Sequence, residues 1–197
     1  MKKNSMSVQR MTVIAMFAAL MCICAWIAVP SPFAPGVSFT LQTFAIILTG
    51  LVLSPADAML SSLIYLMLGI IALPVFQNFT TLYSKIGAPS GGYIIGFMIA
   101  PVLISLCRTW SEKTFTDSDK KKTAIIVTNT IIAIVLGILV IDVPGVIQYK
   151  IVSNSPWNVS IMLGAVSFMP TDLIKCVLAA IVAISLKKPL KHLYISN

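Results

Sequence analysis

Asp172 and Lys175 are the residues of this 197-residue chain whose types and spacing point most directly to chemistry. Both lie in a long apolar stretch, 159–186. An ionisable side chain inside a membrane-grade segment costs several kcal/mol and marks a functional site by default. The i,i+3 spacing puts both groups on one helix face. Together they are net neutral and offer an acceptor and a donor side by side to a polar ligand head. Read without function, they are a structural ion pair, or Asp172 is a carboxylate at a helix start.

Two further constellations could assist. Asn78 sits with Gln77 between Phe76 and Phe79, which suits a pocket with apolar walls and few polar tips. Gly87-Ala-Pro-Ser-Gly-Gly-Tyr93 opens an apolar run, so the backbone N–H groups of Gly91 and Gly92 could receive a carboxylate at a helix start. Lys85 could add charge there. The plain alternatives are a loop turn at Asn78 and close helix packing through Gly92-x-x-x-Gly96.

Elements long enough to position these groups follow from composition. Hydrophobic residues make up 58% of the chain and charged residues only 10%, and the mean hydropathy is +0.96. A soluble domain carries roughly 25% charged residues, so an ordinary soluble enzyme, a disordered chain and a disulfide scaffold are excluded. Cys22, Cys24, Cys107 and Cys176 fall in apolar runs with no zinc spacing. His192 stands alone in the charged tail. No G-x-x-x-x-G-K-[ST] loop is present, so uphill transport needs an ion gradient or a partner. No cofactor is expected.

A membrane helix needs about 20 apolar residues. The run 11–29 exceeds a signal core and reads as a retained first helix. Ser54-Pro-Ala-Asp57 is a helix start, with Ser as cap, Pro at the first position and Asp in the first turn. Met169-Pro-Thr-Asp172 is another, which leaves 157–168 as a short or re-entrant piece over the outer end; the alternative is one long kinked helix. The expected architecture is an all-α integral membrane protein of one domain, 1–197. It comprises six transmembrane helices, near 10–29, 40–53, 55–73, 91–108, 122–141 and 170–187, with long extracellular lid loops and both termini cytoplasmic.

The charges fit that topology. It puts eleven Lys and Arg residues inside and only Lys85 and Lys150 outside, with Lys175 in the last helix. The net charge of +8 then calls for anionic membrane lipid near Lys120–Lys122, not nucleic acid. The outer segments 30–39, 74–90 and 141–168 are long, poor in charge and rich in Pro, Gly, Asn and aromatics, as binding loops and lids are. Ala15-x-x-x-Ala19, with Ala18 and Cys22, forms a small-residue face for close helix approach, in the bundle or against another subunit.

These motifs resemble those of the BioY family, the biotin-capturing S components of energy-coupling factor (ECF) vitamin transporters. Gly87-Ala-Pro-Ser-Gly-Gly-Tyr-Ile-Ile-Gly-Phe97 is similar to the family's GPTGGYLxGF pattern. Phe168-Met-Pro-Thr-Asp-Leu-Ile-Lys175 is similar to its F-x-P-G-D-x-x-K segment. Ala15-x-x-x-Ala19 fits the motif with which S components dock on their membrane partner. The family's first Gly and Thr are Ala88 and Ser90 here, and its Gly before the Asp is Thr171; these small-for-small changes leave room for a related ligand.

The resemblance implies high-affinity biotin capture at the outer face of the bacterial cell (cytoplasmic) membrane. Asp172 then accepts ureido N–H bonds, Lys175 balances it and reaches the ureido oxygen, and Asn78 adds a contact to the head. The Gly91–Gly92 start, with Ser90 or Lys85, takes the carboxylate. Tyr149 and Gln148 on the last outer loop are secondary candidates, and the 30–39 loop closes as a lid. The implied partners are an ECF transmembrane coupling subunit and two cytoplasmic ATPase subunits. An S component for riboflavin or thiamine, an ion-coupled transporter acting alone, and an intramembrane enzyme using Asp172 remain alternatives.

Overall fold

The computed structural model describes residues 7–114 and 119–195. Helix α1 is Val8–Trp26, capped by the Ser7 hydroxyl, which accepts from the Arg10 N–H. A short antiparallel hairpin follows, β1 Ala28–Pro30 against β2 Ser38–Thr40, with Val29 opposite Phe39. Helix α2 is Gln42–Val52 and α3 is Pro55–Ile70. A 3-10 turn at Gln77–Phe79 and the short α4, Leu82–Ile86, occupy the next connection. Then come α5 Gly92–Thr114, α6 Asp119–Ser153, α7 Trp157–Ile161, a π-helical stretch Met162–Val166, and α8 Met169–Ile195.

Among the described residues, four helical stretches are long and apolar enough to cross a membrane: Val8–Trp26, Gly92–Lys113, Ile126–Ser153 and Trp157–Leu186. Helices α2 and α3 are shorter apolar helices. Nearly every residue of α2 is buried, as a helix hydrophobic on all sides must be. It packs against α1, α5, α6 and α8, and Ile46, Ile47 and Leu51 form the centre of the core.

The two helix starts read from the sequence lie where expected. Ser54 caps α3 by accepting from the Asp57 N–H at 3.3 Å, with Pro55 in the first turn. Pro170 lies in the first turn of α8, where its missing N–H costs nothing. The 157–168 segment, however, is helical throughout and joins α8 without a loop: Ser167 N–H reaches back five residues to Met162 C=O at 3.0 Å, a π-type bond that absorbs the misfit ahead of Pro170.

Other boundaries differ from expectation. The helix expected to close near 141 runs on to Ser153, through Pro144. Proline removes one backbone hydrogen bond, and here packing against α5 sustains the helix. A Cβ on Gly96 would lie 2.5 Å from Ile141 Cα, and one on Gly92 would meet Pro144 C=O. The two glycines of Gly92-x-x-x-Gly96 thus let the two backbones touch. Helix α3 stops at Ile70 rather than near 73, because Ala72 turns left-handed (φ 64°), with Ala72 N–H on Gly69 C=O and Leu73 N–H on Leu68 C=O.

The bundle has two chemically distinct ends. At one, the Arg10 guanidinium forks onto the fully buried Asp57 carboxylate (2.8–3.0 Å), tying α1 to α3. Arg108 there donates to Leu53 C=O at 2.9 Å and pairs with Glu112 at 3.0 Å. The other end carries the hairpin and the loops between α3 and α5. Trp26 Nε1–H donates to Pro74 C=O at 2.7 Å and its ring stacks on Phe79 at 5.4 Å. Gln148 of α6 donates to Ile86 C=O (2.7 Å) and Ala88 C=O (2.9 Å), pinning the segment that leads into α5. Lys120–Lys122 and His192 lie outside the described side chains.

Candidate ligand-binding site

A pocket opens at the loop end, with about 430 Å³ of empty space including its mouth. Its floor comes from three helices: Asp172 and Lys175 of α8, Asp142 and Ile141 of α6, and Tyr93 and Phe97 of α5. Its upper wall is the hairpin, through Val37, Ser38 and Thr40, with Thr43, Gln77, Ser90 and Phe168 closing the rim.

Asp172 and Lys175 meet as their spacing requires. Lys175 Nζ donates to Asp172 Oδ1 at 2.7 Å, and the two side chains are only 12% and 6% exposed. Asp172 N–H also bonds Phe168 C=O at 3.0 Å, and the Thr171 hydroxyl donates to the same oxygen at 2.8 Å. Thr171 therefore spends its polar group on its own helix start. A buried pair of this kind holds an acceptor and a donor in fixed geometry, at a desolvation cost that favours a ligand completing its hydrogen bonds.

The hairpin reaches over this floor. Phe39 packs on Phe168 with ring centroids 4.6 Å apart. The tip turns at Gly36, whose φ of +79° suits glycine, and it lies against Pro89. Val37 and Ala34 are buried. The segment expected to be a loop at 30–39 is thus a strap, ordered by β1–β2 pairing and anchored by aromatic contact.

Ser90 joins the pocket to a smaller adjoining cavity lined by Lys85, Gln42, Phe76 and Gln77. Its hydroxyl lies 3.2 Å from Gln77 Nε2 and 3.3 Å from Lys85 Nζ, both of which donate to it. Lys85 is buried, and burial pulls its ammonium down from 10.5 to about 8. A cationic group thus lies in the adjoining cavity and the Asp172–Lys175 pair in the main pocket, with Ser90 common to both.

Other candidates fall elsewhere. Asn78 is exposed and lines neither cavity; it holds a left-handed turn (φ 57°), which Asn tolerates. Its neighbour Gln77 lines both. Gly91 and Gly92 also lie outside the lining. Gly91 N–H is already bonded to Ala88 C=O at 3.0 Å, and Gly92 packs on Pro144; their role in the fold is close approach, which leaves Ser90 facing the cleft. Tyr149 is on α6, not on a loop, and is buried in the core. Ala15 and Ala19 lie on the exposed side of α1.

Sequence reasoning missed Asp142 and Tyr93. Asp142 was hidden by ending the helix at 141. The rule that singled out Asp172, a carboxylate in an apolar run, applies to it equally. The Tyr93 hydroxyl donates to Gly164 C=O, and its ring lies against Gly145, holding α5, α6 and the π-helical stretch together below the pocket.

Apolar helices enclosing a pocket with a buried ion pair define a multi-pass membrane protein built to hold a small polar-headed ligand. Comparison with known proteins then specifies which: a model of the BioY family matches residues 1–192, and the chain belongs to that family. It is 31% identical to biotin transporter BioY2 of Lactococcus lactis subsp. cremoris, covering 92% of each protein. It is 33% identical to biotin transporter BioY of Thermotoga maritima, covering 87% of this chain and 92% of that one. The solved S-component for biotin from an ECF-type ABC transporter superposes with a TM-score of 0.82 at 27% identity, covering 95% of both chains. A second solved protein, the S component of a bacterial ECF transporter, shares the fold at a TM-score of 0.52 and 16% identity.

Proposed function

We propose that this chain captures biotin at the outer face of the cytoplasmic membrane as the substrate-specific S component of an ECF-type uptake transporter, without a cofactor. The observation that carries the reading is the Asp172–Lys175 pair, buried beneath an aromatic strap in a chain of the BioY family. The ureido head lies on that pair: Asp172 accepts an N–H, and Lys175 donates to the ureido oxygen. The apolar bicycle lies between Phe97, Ile141, Phe168 and Val37. The valerate carboxylate points toward Ser90 and Lys85, and Gln77 takes the polar role expected of Asn78.

In this reading the two shorter helices complete a six-helix membrane domain with the loop end outward and both termini in the cytoplasm. The Arg10 and Arg108 end faces the cytoplasm, in line with the excess of inside positive charge. Energy comes from a transmembrane coupling subunit and two ATPase subunits, and the Ala15/Ala19 side of α1 is the docking surface.

Isothermal titration of the detergent-purified protein tests this directly. Biotin is expected to bind one to one, while riboflavin and thiamine do not. Asp172→Asn is expected to weaken biotin at least tenfold, the size of one charge-assisted hydrogen bond. Riboflavin or thiamine binding in place of biotin would assign the pocket to another vitamin.

A further inference from the structure

The pocket contains a carboxyl group that its ion pair does not account for. Asp142 is 5% exposed and lines the floor with Asp172 and Lys175. Its Oδ2 is fully buried and has no hydrogen-bond partner. Neither of the two nearest donor groups of the floor bonds to it: Lys175 Nζ directs a hydrogen to Asp172 Oδ1 and the Tyr93 hydroxyl donates to Gly164 C=O. Lys85 belongs to the adjoining cavity, bonded to Ser90. A buried carboxyl oxygen without a donor is expensive, and such a group kept at the floor of a binding pocket calls for a donor that arrives with the ligand.

We propose that Asp142 is a ligand-recognising residue of the capture site, whose carboxyl group, left without a donor for Oδ2, turns to accept an N–H from the bound head. Asp142 and Asp172 stand on different helices around one cavity, and Lys175, bonded to Asp172, is the one cationic residue among those that line it. The floor therefore selects a head with two N–H donors and no negative charge. The same excess of acceptors repels an anionic group, so it sets the direction of the ligand: N–H-bearing head down, acidic tail toward Lys85. This inference rests on the biotin-capture reading, in which the ureido ring supplies the two donors. It makes Asp142 a specificity determinant on α6, in addition to the pair on α8.

The test compares two ligands on the purified full chain. Biotin has a neutral ureido head; 2-iminobiotin has a cationic cyclic guanidinium head of the same shape, which keeps both ring N–H donors but sets a third against Lys175, so its affinity for the unmutated protein starts lower and each loss is read relative to that protein. Asp142→Asn, which keeps size and part of the acceptor capacity, is expected to weaken biotin about tenfold. It is expected to weaken 2-iminobiotin by a larger factor, because the cationic head loses a charge partner as well. Asp142→Ser carries the same expectation if the Asn variant does not fold. Unchanged biotin affinity in the variant would overturn the assignment. So would an equal loss for both ligands, the mark of a merely structural role. Failure of the unmutated protein to bind biotin would instead remove the capture reading itself.

Discussion

At the scale of single residues, the proposed site sets the Asp172–Lys175 pair in the main pocket and Lys85 in the cavity that adjoins it at Ser90. Lys85 is the buried cation of the adjoining cavity, and its burial pulls it down to about 8, well below an exposed lysine. Below that pH it is charged and, in the proposed complex, attracts the biotin carboxylate; as pH rises through about 8 it becomes neutral and that attraction is lost. Biotin affinity is therefore expected to fall as the pH is raised from 7 to 9 and to level off above the value that Lys85 takes in the complex. Lys85→Met should bind more weakly at pH 7 and show a flatter profile in titrations at each pH. Protein stability moves in the opposite direction. The unfolded chain holds its lysine proton up to about 10.4, so between about pH 8 and that value it binds more protons than the folded chain, and this group's contribution to stability rises with pH.

At the scale of elements, two contacts shape the pocket. The Gly92/Gly96 face of α5 meets the α6 backbone, with no room for a side chain. Gly96→Val should cost about 3 kcal/mol, the upper part of the range for overpacking a core, seen as a lower melting temperature in detergent. The strap is held differently, by β1–β2 pairing and by Phe39 on Phe168. An aromatic pair contributes about 0.5–1.5 kcal/mol beyond the area it buries. Phe39→Ala should thus speed biotin release up to about tenfold with a smaller change in association rate, measured by stopped-flow or by exchange of labelled ligand. Equal release rates in the two proteins would mean that the strap does not retain the ligand.

At the scale of the whole molecule, the proposed capture site and the proposed docking face occupy different surfaces. The pocket lies at the loop end, and the exposed Ala15 and Ala19 belong to the α1 surface away from it. Ala15→Leu together with Ala19→Leu adds bulk there without touching the pocket. The double variant is expected to bind biotin like the parent in detergent, yet to lose most biotin uptake when co-produced with coupling and ATPase subunits. Retained uptake would move the docking surface to another helix. Exposed Met16 and Ile23 flank the same face, as expected of a surface that meets lipid or a membrane partner.

What the sequence determined by itself is what depends on local spacing and composition. Apolar runs with few charges specified membrane-grade helices. Ser54-Pro-Ala-Asp57 and Pro170 located two helix starts through capping and the missing proline N–H, and the i,i+3 interval brought Lys175 onto Asp172. Tertiary structure decided the rest, because those outcomes depend on partners distant along the chain. Pro144 reads locally as a terminator, yet α6 continues past it against the α5 glycines, which carries Asp142 into the pocket and Tyr149 into the core. The left-handed turn at Asn78 faces Gln77, not Asn78, into the cleft. Gly91 looks free to bind an anion until its N–H is found on Ala88. The strap is a hairpin because Val29 and Phe39 pair across ten residues while Phe168 anchors it from the far end of the chain. Helical periodicity is a property of neighbours in sequence, whereas a binding pocket is made of neighbours in space.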